Sequence, residues 1–516
     1  MLGIWMFLFI GCSCSAEHVA DHASVIIIGA GASGLQAAQT LVDNGIEDFI
    51  ILEAADYIGG RVRDVEFGGI RVEMGAHWAQ PVGGVVQEKV WEIGMETHQN
   101  NWYSLAVFNS TGHNVTEEAI PVFDEVSESI LAAFSIVDEL YELNDPDMPI
   151  RSGLRTVGWL PETDIEKLIE WASLDFENGE DSYYASLKVH SYIAGEYAKR
   201  VPEADRSTMI TDERGYAYLF NATMPFLSDD ELRAKIVLNQ KVQTIDQSGE
   251  DVAVMCADGQ IFRASRVLVT VSCGVLQNKL IEFIPELPGW KARTINRYEM
   301  ASYCKIYIQF PSNFWGDNEI NLHASSRKGY YPLFTNLEAE GLYPAGSNIL
   351  LWDLTGDEAR RVEGLTDEEV QAEILAVLRL IYGSNNVPEP INIMVSRWSK
   401  NPLTMGSYSI WAPAMEEECF EKMESRVGNV FFGGEYTSED NGYVQGGLDS
   451  GRREGEKIAQ CQQGGECPEW DAGQSCFCPA EEEDDDDPNA VNIYKAQPLL
   501  LLFTCFMYFI SLLKLR

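Results

Sequence analysis

The sequence predicts an α/β fold in which a parallel-sheet dinucleotide-binding domain is interleaved with a second, α+β domain. Two observations predict the sheet: a β-branched run, Ser24–Gly29, opens into a glycine-rich turn, and a second apolar run, Phe49–Leu52, ends in an acid. A third observation predicts the interleaving, because apolar strands recur in the middle of the chain and again at Val430–Phe432. The long segments between these strands then build the second domain.

The first element is a strand–helix–strand unit. Ser24–Gly29 has the composition of a fully buried strand, and Phe49–Leu52 is a second one. Between them, Leu35–Asn44 is predicted to be a helix that Gly45 closes. A helix that joins two parallel strands in this way is the unit on which dinucleotide cofactors bind.

The turn between strand and helix carries the pattern Gly-x-Gly-x-x-Gly. Gly29 makes the tight turn, Gly31 lets the backbone approach a pyrophosphate, and Gly34 allows the helix to pack closely on the strand. The helix N-terminus, where Ser33 lies, points free N–H groups at the anion. Glu53, 19 residues beyond Gly34, can accept hydrogen bonds from ribose hydroxyls.

A second glycine motif, Gly59-Gly60-Arg61, follows the second strand. It extends the backbone along the cofactor, and the guanidinium of Arg61 can meet a phosphate. A dinucleotide fingerprint followed by Gly-Gly-Arg favours FAD over NAD, so the predicted cofactor is FAD.

The remaining body completes both domains. The predicted elements, in chain order, are a mainly helical stretch (110–235), three strands (236–272) with a hairpin turn at Asp258-Gly259, strands mixed with aromatic residues (301–355), one helix (358–382), the strand Val430–Phe432 leading into Gly433-Gly434-Glu435, and a final helix (446–460).

The charge of the chain excludes one class of partner and favours another. There are 37 Lys+Arg and 80 Asp+Glu residues, for a net charge of −43. A chain this acidic is a poor partner for nucleic acid, whose phosphates need basic patches. The charge either serves as a solvating surface or attracts cationic ligands.

Both ends of the chain have the composition of targeting segments. Residues 1–16 form an apolar run followed by small residues, which predicts a cleaved secretory signal peptide. Residues 498–516 are almost wholly apolar before the final basic residues. They predict either a glycosylphosphatidylinositol attachment signal, with the anchor site near Asn489-Ala490, or a C-terminal transmembrane helix. An extracellular or cell-surface location follows from either interpretation.

The glycosylation sequons and the cysteines are consistent with passage through the secretory pathway. Three acceptor sites are present, at Asn109, Asn114 and Asn221. Four cysteines cluster in the acidic stretch 461–497, which we interpret as a stalk with two disulfides; a zinc site is the alternative. The members of the cluster are Cys461, Cys467, Cys476 and Cys478.

The chain resembles the flavin-dependent amine oxidases, and most closely the secreted plant-type polyamine oxidases. The resemblance covers about residues 23–460. Its motifs are VIIIGAGASGLQAA, FIILEAADYIGGR, VEMGAHW, YEMASYCKIYIQFPSNFW, HASSRKGYY, GSYSIW and GGEYTSEDNGYVQGG. The resemblance implies an amine oxidase architecture, with an FAD-binding domain of residues 24–100, 206–290 and 396–460, and a substrate domain of residues 101–205 and 291–395.

The resemblance also implies the chemistry. Polyamines of the spermine and spermidine class would lose hydride from the amine α-carbon to flavin N5. The imine would then be hydrolysed, and O2 would reoxidise the flavin with release of H2O2. The partners implied are a small polyamine and O2, and the oligomeric state stays open.

Site residues follow from the resemblance position by position. Lys305 matches the lysine that binds a water near flavin N5, and Glu177 resembles the tunnel carboxylate that meets a substrate ammonium. The tunnel and flavin-lining positions matched are Tyr303, Tyr408, Tyr443 and Trp398. Glu435 matches the residue beside the pyrophosphate and ribitol, and Val242 and Gly434 match further cofactor contacts.

The alternation along one strand supports the assignment of Lys305 independently. Lys305 stands between Tyr303 and Tyr307 at spacing two, so all three side chains are predicted to share one face. A lysine on the aromatic face of a buried strand suggests a cofactor contact.

Two residues depart from the family pattern, Gln80 and Asn178, and Asn178 replaces an aromatic residue expected after the tunnel carboxylate. Gln80 stands where the family carries an acid or a histidine, which leaves open the preference between free and acetylated polyamines. Residues 433–447 contain no cysteine, so the flavin is predicted to be noncovalent. Two alternatives remain: an oxidase of another amine or of an L-amino acid, and a flavin-binding surface protein without turnover.

Overall fold

The structure is a computed structural model that describes residues 22–81, 85–191, 207–413, 415 and 418–469. The predictions for residues 1–16 and 498–516, and for Cys476 and Cys478, lie outside the described residues.

Strands occur along the whole described chain. In chain order they are β1 (His22–Ile28), β2 (Phe49–Leu52), β3 (Asp64–Phe67), β4 (Ile70–Glu73), β5 (Trp78–Ala79), β6 (Thr97–His98), β7 (Leu105–Phe108), β8 (Thr208–Ile210), β9 (Ile236–Val237), β10 (Val242–Asp246), β11 (Val252–Cys256), β12 (Ile261–Val269), β13 (Glu282–Ile284), β14 (Glu299–Ala301), β15 (Tyr303–Gln309), β16 (Ile320–His323), β17 (Leu333–Asn336), β18 (Ile349–Thr355), β19 (Asn392–Val395), β20 (Tyr408–Ile410) and β21 (Val430–Phe432).

Helices connect and cover these strands. The α-helices are α1 (Ala32–Asp43), α2 (Val85–Glu92), α3 (Thr116–Phe134), α4 (Val137–Glu142), α5 (Ile150–Thr156), α6 (Asp164–Glu170), α7 (Phe176–Asn178), α8 (Tyr218–Thr223), α9 (Asp230–Arg233), α10 (Cys273–Gln277), α11 (Gly289–Ile295), α12 (Gly356–Glu363), α13 (Asp367–Tyr382), α14 (Glu418–Glu424) and α15 (Val444–Gln462). A π-helix, Trp171–Asp175, joins α6 to α7.

The larger sheet has eight strands in the order β13-β10-β11-β12-β1-β2-β9, with β21 also paired to β12. β1 pairs in parallel with both β2 and β12, and β12 pairs in parallel with β21. The β11–β12 hairpin turns at Asp258-Gly259, as predicted. Because the parallel strands all end at one edge, the residues that follow β1, β2, β12 and β21 gather there.

The second sheet has six strands in the order β19-β15-β18-β17-β16-β7. β15 is second from one edge of this sheet and pairs antiparallel with both of its neighbours, β18 and β19. Cys304, Ile306 and Ile308 on one face of β15 belong to the apolar core beneath α12 and α13. The opposite face of β15 carries Tyr303, Lys305 and Tyr307, so this face is available for the site.

The first and last helices pack backbone to backbone. A Cβ on Gly451 would lie 2.2 Å from the carbonyl oxygen of Ser33, and one on Gly455 would lie 2.8 Å from Cβ of Thr40. Side chains at these α15 positions would therefore force the two helices apart. The contact holds the N-terminus of α1 beside the turn that follows β21.

Two predictions about elements change. The helix predicted over 358–382 is wrong as a single element, because it is two helices, α12 and α13. The break is stabilised locally, since Thr366 accepts from the Glu369 N–H and the Glu369 side chain accepts from the Thr366 N–H in a capping box. The helix predicted over Leu35–Asn44 begins earlier, at Ala32, inside the glycine turn.

The cysteine prediction is tested in part. Cys461 and Cys467 form a disulfide, which ties the last turn of α15 to the residues that follow it. In the described part of the chain, no group of three or more His, Cys, Asp or Glu residues is arranged so that it could hold a metal ion. Nor does any helix in these described ranges have the length and apolarity needed to cross a membrane.

Candidate functional site

A cavity of about 530 Å³ runs from the carboxyl edge of the larger sheet to the aromatic face of β15. It is lined by nearly all of the predicted site residues: Gly29, Gly31, Ser33, Glu53, Arg61, Gln80, Glu177, Val242, Tyr303, Lys305, Trp398, Tyr408, Gly434, Glu435 and Tyr443. Gly34 is the exception. A Cβ there would lie 1.9 Å from the carbonyl oxygen of Gly29, so Gly34 acts by allowing close packing.

At the sheet end of the cavity, the start of α1 is open to an anion. Its N-cap residue, Gly31, makes no side-chain cap, so the first N–H groups of the helix lack a side-chain acceptor. A Cβ on Gly31 would meet no atom within 4 Å, and Oγ of Ser33 is buried without a hydrogen-bond partner. Space, helix N–H groups and a free hydroxyl therefore converge where a pyrophosphate would lie.

Glu53 follows β2 on the same edge. Its carboxylate accepts the backbone N–H of Ala30 and of Ala55, each at 2.7 Å. Burial raises the pKa of Glu53, and the backbone N–H groups partly offset that rise. Each oxygen has a second lone pair for a further hydrogen bond, and Glu53 lines the cavity, so the carboxylate can accept from the hydroxyls of a ribose.

Arg61 and Glu435 form an ion pair across the middle of the cavity. The Arg61 guanidinium donates to Oε1 of Glu435 at 3.0 Å and to the carbonyl of Ser407 at 3.1 Å. Glu435 also accepts from the Ser409 hydroxyl at 2.6 Å and from the Gly442 N–H at 2.9 Å. These bonds tie the turn after β21 to the Gly-Gly-Arg motif.

Lys305 projects from β15 into the inner end of the cavity. Its ammonium donates to the backbone carbonyls of Gly75 at 2.7 Å and Glu73 at 3.3 Å, and lies 5.2 Å from the Trp78 ring centroid. The Tyr307 hydroxyl donates to the same Glu73 carbonyl, so Lys305 and Tyr307 share a face as predicted. An ammonium has three donors, and one N–H therefore remains for a water or a ligand.

Three titratable residues beside Lys305 were not predicted from the sequence. Glu73 and His77 lie in the quoted motif VEMGAHW, and Asp353 lies on β18. Burial lowers the pKa of Lys305 and of His77, and raises the pKa of Glu73 and of Asp353. Strand alternation in the sequence could have identified Glu73 as a residue that faces the site. No local pattern could have identified Asp353, because its proximity to Lys305 depends on how β15 and β18 are paired.

Aromatic residues form the walls beyond Lys305. The Tyr408 hydroxyl lies over Gly179, where a Cβ would be 2.1 Å from it, and the Tyr408 ring contacts Gly442. The rings of Phe176 and Tyr303 lie 5.9 Å apart. Tyr443 lines the cavity as the residue that precedes α15.

Glu177 faces the cavity from the short helix α7. Its side chain is exposed to the cavity. The protein that surrounds the cavity desolvates the carboxylate and so raises the pKa of Glu177. Within the described ranges no cation pairs with it. A carboxylate in this position is suited to meet a ligand cation.

A buried ion network fixes the segment that carries Glu177. The Lys328 ammonium bridges Glu170 and Asp175, at 2.7 Å from each, and Glu170 also accepts from Arg151. Trp171 donates through Nε1 to the Thr355 hydroxyl at 2.9 Å, which ties the π-helix to β18. π-helical turns are frequent at functional sites, and this one re-aims α7 toward the cavity.

The last predicted residues lie around the same space. The Gln80 amide oxygen accepts from the Ser207 hydroxyl, and Gln80 lines the cavity. Trp398 donates to the Met74 carbonyl at 3.0 Å and packs on Gly75. Val242 opens β10 beside the adenine end of the predicted cofactor position.

The lining fits FAD in several respects. An open helix N-terminus, an orphaned Ser33 hydroxyl and Glu53 are grouped at one end, and Lys305 with its aromatic neighbours at the other. An extended dinucleotide needs partners for its ribose and pyrophosphate toward one end of the cavity and an enclosed apolar space for its reactive ring system at the other.

Known proteins are similar to this chain in sequence and in fold. Residues 32–459 match the family described as flavin containing amine oxidoreductase. The chain is similar to polyamine oxidase 1 of Zea mays, with 35% identity over 468 residues that cover 85% of this chain and 91% of that protein. It is also similar to polyamine oxidase 7 of Oryza sativa subsp. japonica, with 34% identity over 82% of this chain and 92% of that protein.

Solved structures agree on the fold. The chain superimposes on a double mutant of putrescine oxidase redesigned for cofactor binding, with a TM-score of 0.67 and 19% identity, over 85% of this chain and 99% of that one. At that identity the likeness shows the fold alone. Together the matches confirm the family resemblance and the fold class predicted from the sequence.

Proposed function

The chain belongs to the flavin-containing amine oxidoreductases, and from that membership we propose that it is a polyamine oxidase of the spermine and spermidine class. It is an FAD-dependent amine oxidase, with a small amine and O2 as its partners. The finer assignment rests on one observation: Glu177 faces the cavity and pairs with no cation among the residues described.

The charges of the lining favour a cationic substrate over an amino acid. An amino acid carboxylate needs a free cation, and the lysines and arginines that line the cavity are Arg61, Lys241 and Lys305. Arg61 is paired with Glu435, and Lys305 donates two of its protons to backbone carbonyls. Lys241 directly precedes Val242, at the end of the cavity assigned to the adenine. Glu177, in contrast, offers its negative charge to a distal ammonium group.

The aromatic walls prepare the reacting amine. Bound FAD supplies the acceptor for a hydride from the α-carbon and returns the electron pair to O2. The amine must lose its proton first, and the desolvated space between Tyr303 and Tyr408 favours the neutral amine. The same ring faces can hold the remaining ammonium groups. The third N–H of Lys305 is left to hold a water that could hydrolyse the imine.

The proposed location is the secretory pathway, with anchoring at the cell surface. It is supported by the Cys461–Cys467 disulfide, which is typical of an oxidising compartment, and by the exposure of Asn114 and Asn221 in their sequons. Enzymatic removal of N-glycans should lower the apparent mass. Release from membranes by a phosphatidylinositol-specific phospholipase would support the lipid anchor over the transmembrane helix.

The test of the activity is product analysis with the purified, FAD-loaded protein. Peroxide release is measured with spermine, spermidine, N1-acetylspermine, putrescine and a set of L-amino acids, and the cleaved products are identified. We expect spermine or spermidine to give the highest kcat/KM. A protein that retains its flavin but is faster on amino acids, or inert to every amine, would overturn the assignment.

A further inference from the structure

We propose that Asp353 is a positioning residue of the active site, which keeps a proton on Lys305 by placing a buried negative charge beside it. The proposal rests on the proposed function only in that Lys305 faces the bound flavin. It concerns the charge of the one lysine at the inner end of the cavity, whichever amine is oxidised.

The register of the sheet brings the two side chains together. β15 and β18 pair antiparallel, and Lys305 lies directly opposite Asp353. Residues opposite each other in an antiparallel pair point to the same face, with Cβ atoms about 4.5–5.5 Å apart. Both side chains line the cavity, so they share one water-accessible space.

No other cation in the described structure pairs with Asp353, and the hydroxyl of Tyr303 is the other group that favours its charged form. It is 1% exposed, and its Oδ1 is buried without a hydrogen-bond partner. None of the ion pairs of the described residues involves it. A carboxylate cannot stay charged in such a place without a cation, and the cross-strand ammonium is the cation available.

Other polar groups around Lys305 fit bridging water. The hydroxyl of Tyr303, which also lines the cavity, is buried without a hydrogen-bond partner, and so are Oε2 of Glu73 and Nδ1 of His77. A buried water typically makes two to four hydrogen bonds to polar groups that have no other partner, and several such groups surround Lys305. The two side chains are not in direct hydrogen-bond contact, and a water between them would connect the Lys305 ammonium to the Asp353 carboxylate.

The groups that face this pair come from four elements. They are Glu73 on β4, His77 in the loop after it, Tyr303 and Tyr307 on β15, and Tyr343 in the loop before β18. Burial lowers the pKa of Lys305, while Asp353 and then Glu73 raise it. Glu73 accepts the backbone N–H of Tyr216 on one oxygen, whereas no backbone N–H in the described structure donates to Asp353. Removing the charge of Asp353 should therefore let Lys305 lose its proton at lower pH.

The test titrates the flavin-loaded enzyme without substrate, so a wrong amine cannot affect it. The pH dependence of the visible flavin absorbance, and of the rate at which photoreduced flavin reacts with O2, is measured for wild type and Asp353→Asn. We expect the ionisation midpoint to move about one pH unit lower, a tenfold loss of proton affinity. Asp353→Glu should restore the midpoint, and in a Lys305→Met background Asp353→Asn should change nothing.

A matched control and a second variant keep the test decisive. Glu363→Gln removes a buried carboxyl that acts on Cys304, on the other face of β15, and should leave the midpoint unchanged. If Asp353→Asn does not retain flavin, Asp353→Thr removes the same charge with a residue suited to a strand. An unchanged midpoint without the Asp353 charge, or a shift that persists in the Lys305→Met background, overturns the proposal.

Discussion

The clearest test of the substrate assignment is Glu177→Gln, which removes a charge and keeps the shape. Glu177 faces the cavity, and within the described ranges no protein cation pairs with it, so the loss is that of one charge-assisted bond to a substrate ammonium. Such bonds contribute about 1.5–3 kcal/mol. At about 1.4 kcal/mol per factor of ten, kcat/KM for spermine should fall about 10- to 150-fold.

The fall should appear mainly in KM. Glu177 is expected to hold an ammonium remote from the reacting carbon, equally in the ground state and the transition state, so kcat should change little. Glu142→Gln, the same charge change at an exposed end of α4, measures the contribution of the general negative field. Equal losses in the two variants, or a loss in kcat alone, would refute the reasoning.

The same substitution should stabilise the substrate-free protein. Burial raises the pKa of Glu177 above its unfolded value, so ionising it costs folding free energy as pH rises through that window. Removing the carboxyl should therefore raise Tm at pH 7 and have no effect at about pH 3, where the carboxyl is protonated in both states. A lower Tm at pH 7 would show that Glu177 has a stabilising partner in the folded protein.

Four further outcomes are expected. Denaturation should release FAD into the supernatant, and flavin retained by the precipitate would contradict noncovalent binding. Lys305→Met should keep its flavin and lose about ten- to a hundredfold in turnover or flavin reoxidation, as followed by stopped-flow absorbance. Gln80→Glu should raise the ratio of kcat/KM for spermine over N1-acetylspermine, since only the free terminus is cationic; an unchanged ratio would mean that position 80 does not meet substrate. Lys328→Met leaves Glu170 and Asp175 buried without their shared cation, and should cost about 3–5 kcal/mol of unfolding free energy in urea titrations.

Sequence reasoning succeeded where the signal was local. The glycine turn at 29–34 has a fixed spacing for a fixed backbone path, and the alternation around Lys305 fixes which side chains share a face. The break between α12 and α13 was also locally encoded, because Thr366 and Glu369 have the spacing of a capping box. The prediction of a single helix over 358–382 missed this capping signal.

Other parts of the site could not be read from the sequence. Asp353 meets Lys305 only through the register of two strands nearly fifty residues apart, which no local pattern specifies. The Lys328 network joins residues from α5, α6, the π-helix and the loop after β16, and its members look like ordinary surface charges in the sequence. Both depend on tertiary contacts alone.

The packing of α1 on α15 has a consequence for the order of events during synthesis. The open N-terminus of α1 is complete early, but the turn after β21 that faces it comes about 400 residues later. At about 5–20 residues per second, the ribosome adds that interval in roughly 20–80 s. Until then the glycine turn lacks the residues after β21 that line the opposite side of the cofactor site. Cofactor capture is therefore among the last steps of maturation, and a chain truncated before Val430 should emerge colourless.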